Sequence, residues 1–419
     1  FNTYFSVPII PVYDQTNTNA SPVQLANAQN IGYRGRQNPY FNMLYSDDQN
    51  LQSRLLGNFY ADIELIPNKL SFKTSYNYNY SSLNTRNVNF EFNDGVRFNE
   101  SNLYKANSTS FDQIINNILT YNESIGQHSF TLMAGYLVNT QKSDRIYLRG
   151  DSIYTNPTFD NEELWYFTNP EEEINTSSSG DGGSNFNVTS YIGRVAYNYA
   201  DRYLVYGTVR RDGTNKFQEK WGLFPTVGVG WVISEESFFD FVGVDFLKLR
   251  GSWGKLGNAA VPAADGEPSY QTQILAVDDQ LESGVVPIKQ FDYLGQWETT
   301  VETNIGITAN LFQSRLSVDA DYYIRDTENA AVTIILPLVR ANVRRNLGSI
   351  RNQGLEMSLN WSDEINNNIR YNAGLNFATL KNEVTDLGGQ QYLNAGSAEF
   401  RQRSILGQPI RAFYGYEVE

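Results

Sequence analysis

The chain has 419 residues and a formal net charge of −14 at pH 7, with no cysteine and a single histidine, His128. The lack of cysteine excludes a disulfide framework and thiolate metal ligands, and a single histidine excludes sites that need two or more histidines. The acidic balance, without a basic stripe, argues against nucleic-acid binding, and an aromatic content of 14% indicates a folded chain.

No uninterrupted apolar run is long enough for a membrane-spanning helix, which needs about 20 residues. A strand of a membrane barrel needs about ten residues, half of them apolar, so a barrel remains compatible with this sequence. The chain starts at Phe1 without the basic and hydrophobic segments of a signal peptide, and we expect that processing or truncation removed whatever preceded it.

The first 50 residues are polar and irregular, and we predict that they form a surface loop or an extended lead-in to the rest of the chain. Regular alternation of apolar and polar residues follows from Leu55 to Ile66 and, after a turn at Pro67-Asn68, from Leu70 to Tyr80. Because a strand places successive side chains on opposite faces, this pattern predicts a hairpin of two antiparallel strands.

The same order of strand, short turn, strand and long loop continues along the chain. We predict about thirteen strands, arranged as six hairpins and one unpaired strand. The other predicted strands lie at about 108–123, 130–138, 191–199, 203–210, 224–231, 247–253, 301–311, 316–324, 355–361, 369–377 and 412–419. Long loops are predicted at 143–185, 258–296, 326–349 and 382–411.

This pattern is typical of an all-β, antiparallel transmembrane β-barrel, whose short turns are periplasmic and whose long loops are extracellular. A soluble β-sandwich is the alternative, but its strands average about 5–6 residues and many of these are longer. Bacterial barrels have an even number of strands, and large plugged transporters have about 22. We therefore interpret residues 51–419 as an internal segment of a larger barrel, without the plug and the terminal strands.

The two faces of the predicted strands have different roles in a barrel, because apolar side chains face lipid and polar side chains face the lumen. The charged residues predicted to face the lumen are Lys73, Lys248, Arg250, Asp319, Asp321, Arg325, Glu356 and Arg370. Aromatic residues beside the short turns suit an inner girdle, and those near the long loops suit an outer one. The inner set is Tyr197, Tyr199, Tyr203, Phe312, Trp361 and Tyr371, and the outer set is Tyr78, Tyr80 and Trp253.

The sequence predicts no catalytic, cofactor-binding or metal-binding residues, and so no enzyme. His128 lies beside a turn, without the serine and acidic partners that a hydrolase site needs. The segment Gly254-Lys255-Leu256-Gly257 lacks the Ser/Thr and the glycine spacing of a phosphate-binding loop.

Seven segments, in order along the chain, resemble the barrel of SusC/RagA-type TonB-dependent outer-membrane transporters of Bacteroidetes. They are GRVAYNYADRYLVYGTVRRDGTNKF at 193–217, WGLFPTVGVGWVISEESFF at 221–239, LKLRGSWGKLGN at 247–258, WETTVETNIGI at 297–307, LFQSRLSVDADYYIRDT at 311–327, NLGSIRNQGLEMSLNW at 346–361 and GQPIRAFYGY at 407–416. Several matches in the same order are more specific than any single one.

The resemblance implies a protein of the Gram-negative outer membrane, in contact with lipid and lipopolysaccharide, that imports oligosaccharide or peptide nutrients. It also implies a SusD-like surface lipoprotein as a lid and energy from TonB–ExbB–ExbD, which act through regions absent from this sequence. The alternatives are a passive porin, and a surface barrel that serves as an adhesin or as a component of a secretion assembly.

Overall fold

The computed structural model describes residues 11–29, 38–151, 162, 165–167, 175, 178–259, 269–277, 280–289, 295–335, 342–365, 369–397 and 400–415. Nearly all regular structure in these residues is β-strand, with one short α-helix, α1 (Pro39–Leu44), and a 3-10 turn at Ile233–Glu235. No helix in the described ranges is long and apolar enough to cross a membrane.

The strands are named β1 to β21 in chain order. They are β1 (Ala20–Ser21), β2 (Ser46–Ile66), β3 (Leu70–Asn89), β4 (Phe92–Asp94), β5 (Phe98–Asn99), β6 (Asn102–Ile125), β7 (His128–Asp151), β8 (Gly180–Tyr199), β9 (Tyr203–Thr214), β10 (Trp221–Val232), β11 (Val244–Asn258), β12 (Ser269–Val277), β13 (Gln280–Lys289), β14 (Glu298–Leu311), β15 (Leu316–Ile335), β16 (Asn342–Glu364), β17 (Arg370–Ala378), β18 (Lys381–Leu387), β19 (Tyr392–Gly396), β20 (Arg401–Ile405) and β21 (Ala412–Phe413).

One sheet of 15 strands dominates the fold, in the order β12-β13-β16-β15-β14-β11-β10-β9-β8-β7-β6-β3-β2, with β17 and β18 both paired to β16. The long strands pair antiparallel, and one parallel pair, Lys289 with Asn342, joins β13 to β16. The six predicted hairpins are all present, as β2–β3, β6–β7, β8–β9, β10–β11, β14–β15 and β16–β17. The predicted antiparallel all-β fold is therefore confirmed.

Several strands continue far into segments predicted as long loops. Strand β15 extends to Ile335 and β16 begins at Asn342, the segment 258–296 contains the hairpin β12–β13, and 382–411 contains β18, β19 and β20. Those loop predictions were wrong at these positions. Outside a membrane both faces of a strand meet water, so backbone pairing can continue after apolar–polar alternation has ended.

The strand predicted at 412–419 is also different in the structure. Ala412–Phe413 form the short strand β21, which pairs with β20 in a separate three-stranded sheet. Residues 416–419 lie outside the described part of the chain.

The chain divides into two compact units, one of residues 1–59, 76–114 and 140–185, and the other of residues 60–75, 115–139 and 186–419. The first unit has an apolar core, and part of that core comes from the segment before β2. Leu25 and Phe41 are completely buried there, and Tyr45 is nearly so; the other buried members are Ala20, Val88, Phe90, Phe92, Leu103 and Trp165. The polar composition of the first 50 residues does not indicate this packing.

Buried polar groups stabilise the same core through side-chain hydrogen bonds. The side-chain amides of Asn17 and Asn27 donate to the carbonyl oxygen of Asp94 at 3.3 and 3.2 Å. The Asp94 carboxylate accepts from the backbone N–H groups of Val96 and Arg97 at 2.8 and 2.7 Å. Since a buried polar group without a partner is costly, these bonds fix the turn between β4 and β5 against the segment before β2.

In the second unit, an aromatic cluster of Phe217, Phe224 and Trp297 holds two connecting segments against β10. The Trp297 ring lies edge-on to Phe217 and Phe224, with centroids 5.1 and 5.3 Å away, and its indole N–H donates to the carbonyl oxygen of Lys220 at 3.3 Å. The Phe224 ring occupies the space that a Cβ would need at Gly222 and at Gly257.

The predicted inner aromatic girdle has neighbouring rings at the ends of the short turns. Tyr199 and Tyr203 stack at 6.3 Å across the β8–β9 turn, and the Trp361 indole donates to the Tyr371 hydroxyl at 3.3 Å across the β16–β17 turn. His128 is exposed at the start of β7, 2.8 Å from the Tyr197 hydroxyl.

A single carboxylate orders the longer connection between β10 and β11. Glu236 accepts from the Tyr203 hydroxyl at 2.5 Å and from the Trp231 indole at 2.9 Å. These two bonds hold the pKa of Glu236 below its ordinary value, with the Tyr203 hydroxyl as the largest cause. While Glu236 is ionised, it therefore holds this connection against the adjoining ends of β9 and β10.

Candidate functional site

The two faces of the long strands differ in chemistry along most of the sheet. On one face, large apolar side chains are open to the surroundings: Ile305 is 65% exposed, Leu375 60% and Val229 55%. Exposed apolar surface on this scale is unusual for a protein in water and is what a membrane protein presents to lipid. The opposite face carries the charged residues predicted to face the lumen.

The register of the strands arranges the charged residues in rows across the sheet. Arg250 on β11 lies opposite Gly306 on β14, Gly306 lies opposite Asp321 on β15, and Asp321 lies opposite Glu356 on β16. In the next row, Lys248 faces Thr308 and Thr308 faces Asp319. Five of the eight predicted lumenal residues thus lie in two neighbouring rows.

Ion pairs connect members of the two rows. A terminal nitrogen of the Arg250 guanidinium lies 2.8 Å from Oδ2 of Asp321 and 3.3 Å from Oδ1 of Asp319. The Thr308 hydroxyl donates to Asp319 Oδ1 at 2.8 Å. Because the Asp319 side chain is 51% exposed and that of Arg250 36%, solvent screens these pairs, and they position the side chains more than they stabilise the fold.

The Arg250–Asp321 pair spans two strand spacings because a glycine lies between its members. A Cβ on Gly306 would overlap Oδ1 of Asp321 and would lie 3.0 Å from Nε of Arg250 and 3.1 Å from the carbonyl oxygen of Ala320. The absence of a side chain at position 306 therefore lets an arginine on β11 reach an aspartate on β15.

The other three predicted residues lie apart from these rows. Arg325 pairs with Glu302 at 3.0 Å, across β14 and β15 and nearer the long-loop ends of the strands. Arg370 pairs with Glu364 at 2.7 Å beside the β16–β17 turn, where its side chain is 81% exposed. Lys73, on β3, lies 5.6 Å from the centre of the Tyr60 ring.

Three residues outside the predicted lumenal set complete the site: Glu302, Thr308 and Gly306. Glu302 and Thr308 share the polar parity of β14, and this signal is visible in the sequence. Their partners are not, because the register between strands must be known before a carboxylate can be matched to an arginine. Gly306 has no side chain, so the alternation of apolar and polar residues along β14 does not reveal its role.

On the apolar face, an ion pair marks where the apolar stripe ends. Arg351 on β16 forms two hydrogen bonds with the Asp326 carboxylate on β15, at 2.6 and 2.9 Å. Asp326 follows Val318, Ala320, Tyr322 and Ile324 on the same face of β15. The stripe from Leu316 to Ile324 has the length that a strand needs to cross the hydrocarbon layer, roughly 9–11 residues.

Comparison with known proteins gives the family. Residues 4–407 match the family model described as TonB dependent receptor-like, beta-barrel. The chain belongs to the TonB-dependent receptor β-barrel family. Proteins of this family are outer-membrane receptors and transporters.

The relatives of this TonB-dependent receptor barrel come from Bacteroidetes. It is 29% identical over 396 residues to the TonB-dependent receptor P3 of Formosa agariphila, covering 91% of this chain and 38% of that protein. It is 28% identical over 254 residues to the TonB-dependent receptor SusC of Bacteroides thetaiotaomicron, covering 55% of this chain and 25% of that protein. The chain therefore spans well under half the length of these relatives.

Solved structures of the RagAB peptide importer share the fold. The importer in its open-open state superposes with a TM-score of 0.75 at 19% identity, over 89% of this chain and 40% of that one. The closed-closed state gives the same TM-score over 92% of this chain. At this identity the match shows the TonB-dependent barrel fold and confirms the predicted fold class.

Among the described residues of the TonB-dependent receptor barrel, no three His, Cys, Asp or Glu side chains form a group that could hold a metal ion. What the arrangement offers is a wall with charges of both signs, in which Arg250 is paired with Asp319 and Asp321, and Arg325 with Glu302.

The glycine between the two charged partners gives a testable prediction for this receptor barrel. Gly306→Ala should destabilise the protein by about 1–3 kcal/mol, because the added methyl displaces the Asp321 carboxylate and presses on the β15 backbone. Denaturant unfolding of the full-length protein in detergent measures the loss. In a double-mutant cycle with Asp321→Ala, the second change should recover part of it. Strict additivity of the two changes would show that the ion pair does not constrain position 306.

Proposed function

We propose that this chain forms part of the barrel wall of an importer. The importer takes up glycan or peptide nutrients across the outer membrane in a SusCD-like complex. Residues 51–419 supply the barrel segment and residues 1–50 a lead-in to it, with the long connections extracellular and the polar face lining the lumen. TonB–ExbB–ExbD would supply energy through parts of the protein outside this sequence. Membership of the TonB-dependent receptor family, together with an ion-paired polar face, supports this proposal.

The hairpin β12–β13 supports the presence of a lid protein over the long connections. Its register pairs Ile274 with Ser283, and Leu281 and Val285 each lie two residues from Ser283. The three apolar side chains therefore share one face of the hairpin, and they are 69%, 79% and 67% exposed. Outside the lipid layer such a face is costly in water and is stabilised when a partner covers it.

We propose that the partner is a SusD-like surface lipoprotein, and that the solute enters between this lid and the hairpin. Three exposed apolar side chains on one face provide the central anchors that a protein interface needs, while the polar ends of the loops would form its rim.

Co-purification from the native outer membrane tests the proposal. The full-length protein is expected to elute with a lipoprotein, and the double variant Leu281→Asp/Val285→Asp should lose it, because two carboxylates would be desolvated in the interface. Uptake of the nutrient should fall in parallel. Gln280→Asp is the control, since it adds one such carboxylate on the opposite face of β13 and should keep the lipoprotein, whereas Leu281→Asp alone should weaken the complex.

Two results would contradict the proposal. A wild-type protein that elutes without any lipoprotein and conducts solutes passively would be a porin. A double variant that retains both the lipoprotein and uptake would show that the hairpin face contacts something else.

A further inference from the structure

A concave part of the polar face gathers basic side chains. The cavity has a volume of about 530 Å³ and lies against strands β7 to β11 and β14. Arg194, Lys248 and Arg250 line it, and no aspartate or glutamate does. This is the reverse of the whole chain, whose net charge is −14.

Arg194 is held in a layered arrangement on the sheet. The Tyr206 ring lies over Gly228, where a Cβ would overlap the ring, and the central carbon of the Arg194 guanidinium lies 5.4 Å from the ring centre. A cation over an aromatic face is attracted by the ring electrons, so Tyr206 fixes the guanidinium without neutralising it. Arg194 therefore keeps its hydrogen-bond donors for another group.

Lys248, on β11, is positioned by a second glycine of β10, Gly230. Its Cε would lie 3.0 Å from a Cβ at Gly230, two residues from Gly228 on β10. The aliphatic stem of the lysine thus lies over the glycine, and Lys248 lines the same cavity as Arg194. Two glycines on one strand set the places of two cations.

The charges of these two cations are not balanced within the wall. In the part of the chain that the structure describes, no carboxylate lies within 4.0 Å of the Arg194 or Lys248 side-chain nitrogens, whereas Arg250 is paired with Asp319 and Asp321. The neutral polar lining groups include Ser129, Asn198 and Asn304, which supply both donors and acceptors.

We infer that this cavity binds a carboxylate of an acidic oligosaccharide on its way through the barrel. The inference rests on the proposed function, in which the polar face lines the lumen. Arg194 and Lys248 donate to the carboxylate, and the surrounding hydroxyl and amide groups match the donors and acceptors of sugar hydroxyls. The site makes the wall selective for anionic over neutral sugars.

Calorimetric titration of the purified full-length protein with oligogalacturonate tests the inference. We expect binding at low ionic strength that weakens with added salt, because Arg194 is exposed and its charge is screened. Arg194→Gln and Lys248→Gln should each raise the Kd about tenfold, the loss of one charge-assisted hydrogen bond. Lys255→Gln, on the opposite face of the same strand β11, should leave the Kd unchanged.

A malto-oligosaccharide of the same length and a glutamate-rich peptide complete the experiment. The Kd of the neutral sugar should not depend on either Arg194 or Lys248. Wild-type affinity for oligogalacturonate in both variants overturns the inference, as does no binding by the wild type. It is also overturned if the peptide alone shows the dependence, which would make this an acidic-peptide site.

The failure of this inference can be told apart from failure of the proposed function. If the variants keep their affinity while the wild type retains its lipoprotein and its uptake, the cavity assignment alone is wrong. If the wild type has neither lipoprotein nor uptake, the proposed function is wrong, whatever the Kd values are.

Discussion

Leu359→Arg is expected to sharply reduce the amount of protein assembled in the outer membrane, whereas Asn360→Arg should leave it near the wild-type level. Leu359 on β16 lies between Val318 on β15 and Leu375 on β17, on the apolar face. An arginine on the lipid face costs about 2–4 kcal/mol at the bilayer midplane and less toward the interfaces. Leu359 lies five residues before the end of β16, so the lower part of this range applies.

Asn360→Arg is a close control, because it places the same side chain at the same depth on the opposite, polar face. Asn360 is exposed and lies opposite Ser317 and Gly374, so an arginine there meets no apolar neighbour in its own row. Quantifying both variants in isolated outer membranes, with unfolding in denaturant as a second readout, checks the result. Equal yields would contradict the assignment of the faces.

Gly354→Ala is expected to destabilise the barrel segment by about 1–3 kcal/mol or more, because the new methyl would meet backbone instead of a movable side chain. A Cβ at Gly354 would overlap the carbonyl oxygen of Thr379 and would lie 3.0 Å from the Tyr323 hydroxyl. This is the point at which β16 changes its neighbour, since Glu356 pairs with β17 and Gln353 with β18.

The backbone at this junction has little freedom to move away from a methyl group. The Thr379 N–H donates to the carbonyl oxygen of Leu355 at 2.8 Å, and the Thr379 hydroxyl accepts from the Leu355 N–H at 2.9 Å. Gly207→Ala is the control, because a Cβ there has no atom within 4 Å. Denaturant midpoints of the two variants should differ clearly; if both match the wild type, the junction is more tolerant than its geometry indicates.

Most of the transmembrane part of the fold could be predicted from the sequence, because lipid on one side enforces strict alternation. Strands β14 and β15 show this: each has an unbroken apolar parity, and each was predicted within a few residues at its turn end. The hairpin β12–β13 was missed because water on both faces requires no such pattern. The core under the first 50 residues was missed because Leu25 and Phe41 are separated by polar residues.

The charged site could be predicted in part. Parity alone selected Arg250, Asp319 and Asp321, which the structure brings together. The contribution of Tyr206 and the glycines of β10 depends on which residues lie side by side on neighbouring strands. That information is set by the turns and the packing of the whole sheet, and no single strand contains it.

The aromatic cluster of Phe217, Phe224 and Trp297 has a consequence for the entropy of association. It anchors the connection after β9 and the segment before β14 to the wall, so the bases of these segments are already ordered. When a protein binds over these segments, they lose less conformational entropy than loops that are mobile along their whole length. Such pre-ordering favours long residence of a partner, since differences in affinity between related complexes arise mainly in the rate of dissociation.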